Sequence, residues 1–128
     1  MIGAIRERIA DSPRPPLPPV ELSPDELHHV LQVQRRREVV RYVDDVGETS
    51  ISDLAESIAS IETGDPIDAL SSRDRKKVYV ALYQVHIPKL VEEGIVANDR
   101  GTVTPTERTA RIAEIVHQIQ QATGGDGA

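Results

Sequence analysis

The side chains with chemical potential are few in kind and cluster in two places. Arg73, Arg75, Lys76, Lys77 and Lys89 against Asp74 leave a local excess of +4 in a chain whose formal net charge is −6. Such a cluster suits phosphate, because Arg and Lys supply most contacts to nucleic-acid backbones. All three lysines fall within 14 positions, 76 to 89, while the other 12 cations are arginines. Tyr83 and Gln84 follow on the same outward face, and an exposed Gln amide has the geometry to pair bidentately with adenine. The second cluster is Arg35, Arg36 and Arg37 with Arg41. Consecutive helical residues fan around the axis and cannot all face one partner, so Arg36 and Arg37 are candidate phosphate contacts, while one of the cluster pairs with Glu38, Asp44 or Asp45. Arg100, in a turn, suits contact with backbone or minor groove.

Other chemistries find little support. His28 and His29 are adjacent, His86 and His117 are remote in sequence, and no carboxylate spacing completes a metal motif. His86 reads as a structural histidine rather than a ligand or pH switch. No nucleophile and base pattern and no phosphate-binding glycine loop occur, so neither catalysis nor a cofactor is expected. The absence of Cys excludes disulfides, thiol nucleophiles and cysteine metal sites.

These side chains need rigid elements to hold them. Residues 1–21 form a Pro-rich N-terminal tail, in which five prolines between Pro13 and Pro19 favour polyproline II. Ser23-Pro24-Asp25-Glu26 is a capping box that opens a helix. Leu27, Val30, Leu31, Val39, Val40 and Val43 keep helical spacing, as one helix or two in tandem ending at Gly47. Thr49-Ser50-Ile51 is extended, and Ser52 is the expected cap of a helix bearing Leu54, Ala55, Ile58 and Ile61. Glu62-Thr63-Gly64-Asp65-Pro66 stops it.

Ser71 caps a third helix, about 72–93, with Val78, Leu82, Val85 and Leu90 as its inward stripe. Pro88 cannot donate to the carbonyl four residues back, which predicts a kink near Tyr83 to His86 or a break into two segments. Ile95-Val96-Ala97 and Thr102-Val103-Thr104 are short strands joined through the turn formers Asn98-Asp99-Arg100-Gly101. A last helix runs from about Pro105 to Ala122, with Ile112, Ile115, Val116 and Ile119 as a narrow apolar seam, and 124–128 is a disordered end.

Helix, short strand, helix, helix and hairpin is the order of a winged helix-turn-helix: mainly α, with a small β-hairpin wing (95–104) and here an additional C-terminal helix. In that fold the third helix enters the DNA major groove and the first strand joins the hairpin. The segment His86 to Val96 resembles the end of the recognition helix in winged-helix repressors of the arsenical-resistance type. A closer resemblance is to a family of small haloarchaeal winged-helix proteins, carried by Arg35-Arg36-Arg37, Asp53-Leu54-Ala55, Glu62-Thr63-Gly64, Arg75-Lys76-Lys77-Val78-Tyr79, Leu82-Tyr83 and His86-Ile87-Pro88-Lys89-Leu90. It covers residues 22–106 and implies the fold and a transcriptional role. The chain departs from the repressor pattern in its long connection, residues 63–71, and in Pro88.

The implied function is a dimeric, sequence-specific, DNA-binding regulator, with residues 107–123 as dimerisation helix and double-stranded DNA and a second copy as partners. The competing reading is a protein-interaction module without direct DNA binding, using Val80, Tyr83 and Ile87 as an exposed apolar strip. Composition fits a single domain of 128 residues with an aliphatic core, since there are three Tyr, no Phe and no Trp. Acidity, scarcity of Lys and lack of Phe and Cys suggest a salt-loving microbe. No apolar run is long enough to span a membrane, and Arg6 and Glu7 interrupt any leader, so a cytoplasmic location is expected.

Overall fold

A computed structural model describes residues 23–127, with side chains described for 23–122. The Pro-rich stretch lies outside the described residues, as does Ala128. Helix α1 (Pro24–Leu31) starts as the sequence predicts: the Glu26 amide donates to Ser23 Oγ (3.1 Å) and the Ser23 amide to Glu26 Oε1 (2.9 Å). The Ser23 amide first, and the Ser23 hydroxyl after it, hold the Glu26 carboxyl below its ordinary value. The two-helix alternative is the one adopted. Val33 is extended, and α2 (Gln34–Val46) begins after it. Arg37 Nη1 donates to the Leu31 carbonyl at 2.6 Å, satisfying an acceptor that the end of α1 leaves open.

Strand β1 is only Thr49–Ser50, and helix α3 (Ile51–Thr63) follows without a gap. Its N-cap is therefore Ser50, whose Oγ accepts from the Asp53 amide at 3.0 Å, and not Ser52. Gly64 ends α3 in the left-handed region. The long connection is ordered by a 3₁₀ turn, Ile67–Ala69, and by Leu70, which is buried. Ser71 then caps helix α4 (Ser72–Ala81), its Oγ accepting from the Asp74 amide at 3.0 Å.

The α register is interrupted where Pro88 predicts, between Leu82 and His86, and the form of the interruption is a change of helix type. A π turn over Leu82–His86 joins α4 to α5 (Ile87–Glu92), and the Ile87 amide donates to the Leu82 carbonyl five residues back. The wider turn removes the α-register clash between the proline ring and the carbonyl four residues earlier. It also shifts the helix phase: the buried side chains are Val78, Leu82, Ile87 and Leu90, with one step of five. Val85, expected inside, is 51% exposed, and Ile87, expected in an outer strip, is fully buried. Pro88→Ala should change stability by less than about 1 kcal/mol. A return to α register would regain one hydrogen bond, about 0.5–1.5 kcal/mol, but would turn Ile87 and Leu90 out of a core where each contributes about 1.5–3 kcal/mol. A thermal shift above about 8 °C would show that the π turn is held by the proline alone.

Strands β2 (Val96–Asp99) and β3 (Thr102–Pro105) form a hairpin, and β1 pairs with the free edge of β3 to give an antiparallel sheet ordered β1-β3-β2. Asn98 and Asp99 belong to β2, because Asp99 pairs with Thr102, so the loop is two residues rather than four. Arg100 (φ 55°) and Gly101 (φ 95°) both take positive φ, as the tightest hairpin turns require. The Ile51 amide donates to the Gly101 carbonyl at 3.0 Å, tying the start of α3 to this tip.

Helix α6 (Thr109–Gly127) is anchored at its start by Thr109 Oγ1, which donates to the Ile95 carbonyl at 2.7 Å, and by Thr106 Oγ1, which donates to that of Gly94 at 2.8 Å. Ile112 and Val116 are fully buried within the chain's own core, on the helix that packs along α2. Ile115 and Ile119 are half-buried at its margin. Ile112 and Val116, assigned to a dimer interface, are thus taken up by the chain's own core, and an aliphatic core without Phe or Trp is completed by α6. Among the described residues no helix is long and apolar enough to cross a membrane.

Candidate nucleic-acid interface

Helix α4 buries Val78, half-buries Asp74, Arg75 and Ala81, and presents its remaining side chains to solvent. Arg73, Lys76, Lys77, Val80, Tyr83 and Gln84, all exposed, follow one another at steps of one, three or four and so share a stripe. Arg73, Lys76 and Lys77, and Arg100 at the hairpin tip, have no ion-pair partner among the described residues. Lys77 does lie within electrostatic range of Glu62, whose carboxyl is held below its ordinary value chiefly by the hydrogen bond from Arg35.

The other predicted contacts are engaged inside the chain. Arg36 is only 9% exposed and its Nε donates to His86 Nδ1 at 3.2 Å. Arg37 caps α1 through the bond already described. Arg75 Nε lies 3.6 Å from Glu56 Oε2. Lys89 Nζ sits 3.2 Å from Glu93 and 3.6 Å from Glu92. With those two carboxylates counted, residues 72–93 hold five cations and three acids, a net +2, so the cationic excess belongs to the first turns of α4. Arg35, in the same cluster as Arg36, grips Glu62 through Nε and Nη2 at 2.6 and 2.8 Å, a partner 27 residues away.

Tyr79 escapes a search for charge but belongs here. Its ring stacks on that of Tyr83 with centroids 6.2 Å apart and planes 8° from parallel. The signal was available: two of only three aromatics in the chain stand four residues apart, the spacing at which helical side chains meet. Two open grooves flank the helices. One of about 250 Å³ is lined by Ser52, Ala55, Ser72, Arg75, Lys76 and Tyr79. Another, about 590 Å³ between α2, α3 and α6, carries Glu38, Asp44, Asp45 and Glu114 against Arg41, which is paired with Glu38 at 2.7 Å, so its net acidic lining disfavours phosphate. No group of three or more His, Cys, Asp or Glu among the described residues could hold a metal ion.

His86 sits in the π turn against α2. Burial first, then the Arg36 and Arg35 guanidiniums, push its pKa below the ordinary histidine value, against a smaller opposing pull from Glu62. The folded state therefore favours the neutral ring, with Nδ1 accepting from Arg36. Since the folded pKa is depressed, stability is full above the unfolded value of about 6.5 and declines as pH falls from there through the folded value. The melting temperature should drop between pH 7.5 and 5.5, above the range in which carboxylates titrate. His86→Asn, which keeps an acceptor but not the titration, should flatten that drop; an unchanged profile would assign it to another group.

Geometry thus defines a mainly helical domain with a small three-stranded antiparallel sheet, one exposed helix of which bears unpaired cations followed by apolar and amide side chains. The chain belongs to a domain family of unknown function (DUF7344), whose model matches residues 28–105, from within α1 to the last residue of β3. No curated protein and no solved structure matches it.

Proposed function

We propose that the chain is a winged helix-turn-helix DNA-binding domain of a transcriptional regulator. In this reading α4 and its continuation lie in the major groove, α3 packs behind, and the β2–β3 hairpin is the wing, with Arg100 toward the backbone. The observation that carries it is the set of exposed cations Arg73, Lys76 and Lys77, without ion-pair partners among the described residues, on one stripe of an otherwise acidic chain. Cations left free amid an excess of carboxylates mark a surface awaiting anionic charge. The element order and the addition of β1 to the hairpin support the same reading.

Fluorescence anisotropy with labelled duplex DNA over a range of salt concentrations tests it. If Arg73, Lys76, Lys77 and Arg100 each neutralise one phosphate, log affinity should fall against log salt with a slope of about −3.6 per bound copy. A protein that binds no duplex at low salt would sink the proposal and favour a protein partner on Tyr79, Val80 and Tyr83.

A further inference from the structure

The cations on the α4 stripe stop at Lys77. Over the next turn the outward side chains are Val80, 38% exposed, Tyr83, 57% exposed, and Gln84. From Ser72 to Ile87 the only carboxylate is Asp74, at the helix start. Lys89, the next cation along, is held by Glu92 and Glu93. We infer that this turn selects A·T base pairs, through apolar contact of Val80 and Tyr83 with thymine methyls and a bidentate bond from Gln84 to adenine. The inference rests on the DNA-binding reading above.

The four base pairs present different edges in the major groove, and each edge calls for a different side chain. Guanine offers two acceptors, N7 and O6, and is read by a cationic donor. Cytosine offers an amino donor and suits a carboxylate. Past Lys77 this turn supplies neither of these as a free group. Thymine offers a methyl group that an apolar surface can cover, and adenine offers an acceptor and a donor side by side, which one Gln amide matches. Val, Tyr and Gln are therefore the set for A·T pairs by both inclusion and elimination.

Two further observations favour a base edge over bare solvent as the environment of this turn. Large apolar side chains left on a helix surface lose hydrophobic stabilisation unless something covers them, and this chain places two of its three aromatics on that surface. The near-parallel stack on Tyr79 also fixes the Tyr83 ring before any ligand arrives, so its immobilisation on binding loses little rotamer entropy. The unpaired cations one turn upstream supply the charge complementarity that brings a polyanion, rather than an apolar peptide, onto this face.

The test uses the full chain and duplexes with a randomised core between constant flanks. Repeated selection and amplification should enrich cores rich in A·T. On the selected duplex, replacing thymine by uracil removes only the methyl and should weaken binding about fourfold for each contacted position. Val80→Ala should abolish that penalty at one thymine. Gln84→Ala should lower affinity about tenfold and make binding indifferent to 7-deazaadenine, which lacks the N7 acceptor. Both substitutions lie on the solvent-exposed surface, and circular dichroism checks that helicity is retained. Duplex binding with the expected salt slope, but with G·C cores enriched or no penalty from uracil, overturns this inference and leaves DNA binding standing. Failure to bind any duplex overturns both.

Discussion

Ile112→Asp is expected to unfold the chain at 25 °C. Ile112 is fully buried in the core and lies on α6, which packs along α2. Removing its side chain alone costs about 2–5 kcal/mol, as buried Ile→Ala changes do. The Asp then has to be buried without a partner or protonated, adding at least a few kcal/mol. A small domain has only about 5–15 kcal/mol in total, so the sum consumes most or all of its stability. Far-UV circular dichroism and thermal melting would show loss of the cooperative transition. Ile119→Asp, half-buried at the margin of the same helix, should leave a folded protein with a lowered melting temperature. A folded Ile112→Asp variant whose only change is a smaller mass by light scattering would mean that the seam joins two copies instead.

Reversing Lys76 and Lys77 to Glu should abolish duplex binding while the melting temperature stays within a few degrees of the parent. Both side chains are exposed, and neither has an ion-pair partner among the described residues. Reversing Lys77 exchanges an attraction to Glu62 for a solvent-screened repulsion, and surface changes of this kind usually alter stability by less than about 0.5 kcal/mol. The effect on binding is of another order. Two phosphate contacts vanish and two repulsive charges replace them, which should lower affinity at least on the order of a hundredfold near 0.1 M salt. Neutralising to Gln isolates the lost attraction: each Lys→Gln change should reduce the salt slope by about 0.9. Lys89→Gln is the internal control, since its ammonium is occupied by Glu93 and Glu92, and the slope should barely move. Parent-like binding by the Glu double variant would remove α4 from the interface.

The contrast between Lys76 and Lys89 shows why the site was only partly legible beforehand. Both are lysines on one helical run, and composition treats them alike. Glu92 and Glu93 stand three and four residues after Lys89, a spacing that could have flagged the pairing. For Arg36 nothing local helps. Its partner, His86, is 50 residues away, and the tertiary fold alone brings them to 3.2 Å. Tyr79 carries no charge, and only its spacing of four from Tyr83 marks it in the sequence.

What the sequence by itself determined is what short-range physics controls. The capping box at Ser23, the Ser71 cap and the stop at Gly64 depend on groups within a few residues of one another, and their bonds form much as spacing predicts; the hairpin turn forms where its residues place it but is two residues shorter. The element order, the aliphatic core and the cationic stripe follow from periodicity and count. Tertiary structure decided the rest. It chose between α and π register at Pro88, because the core accepts Ile87 and Leu90 together only after a step of five. It buried Ile112 and Val116 of the α6 seam in their own chain, because an apolar stripe is attracted equally by any apolar surface and geometry alone says which one is nearest. It divided the arginines between internal partners and solvent, since a guanidinium is committed only when the fold sets a carboxylate, a carbonyl or an imidazole beside it.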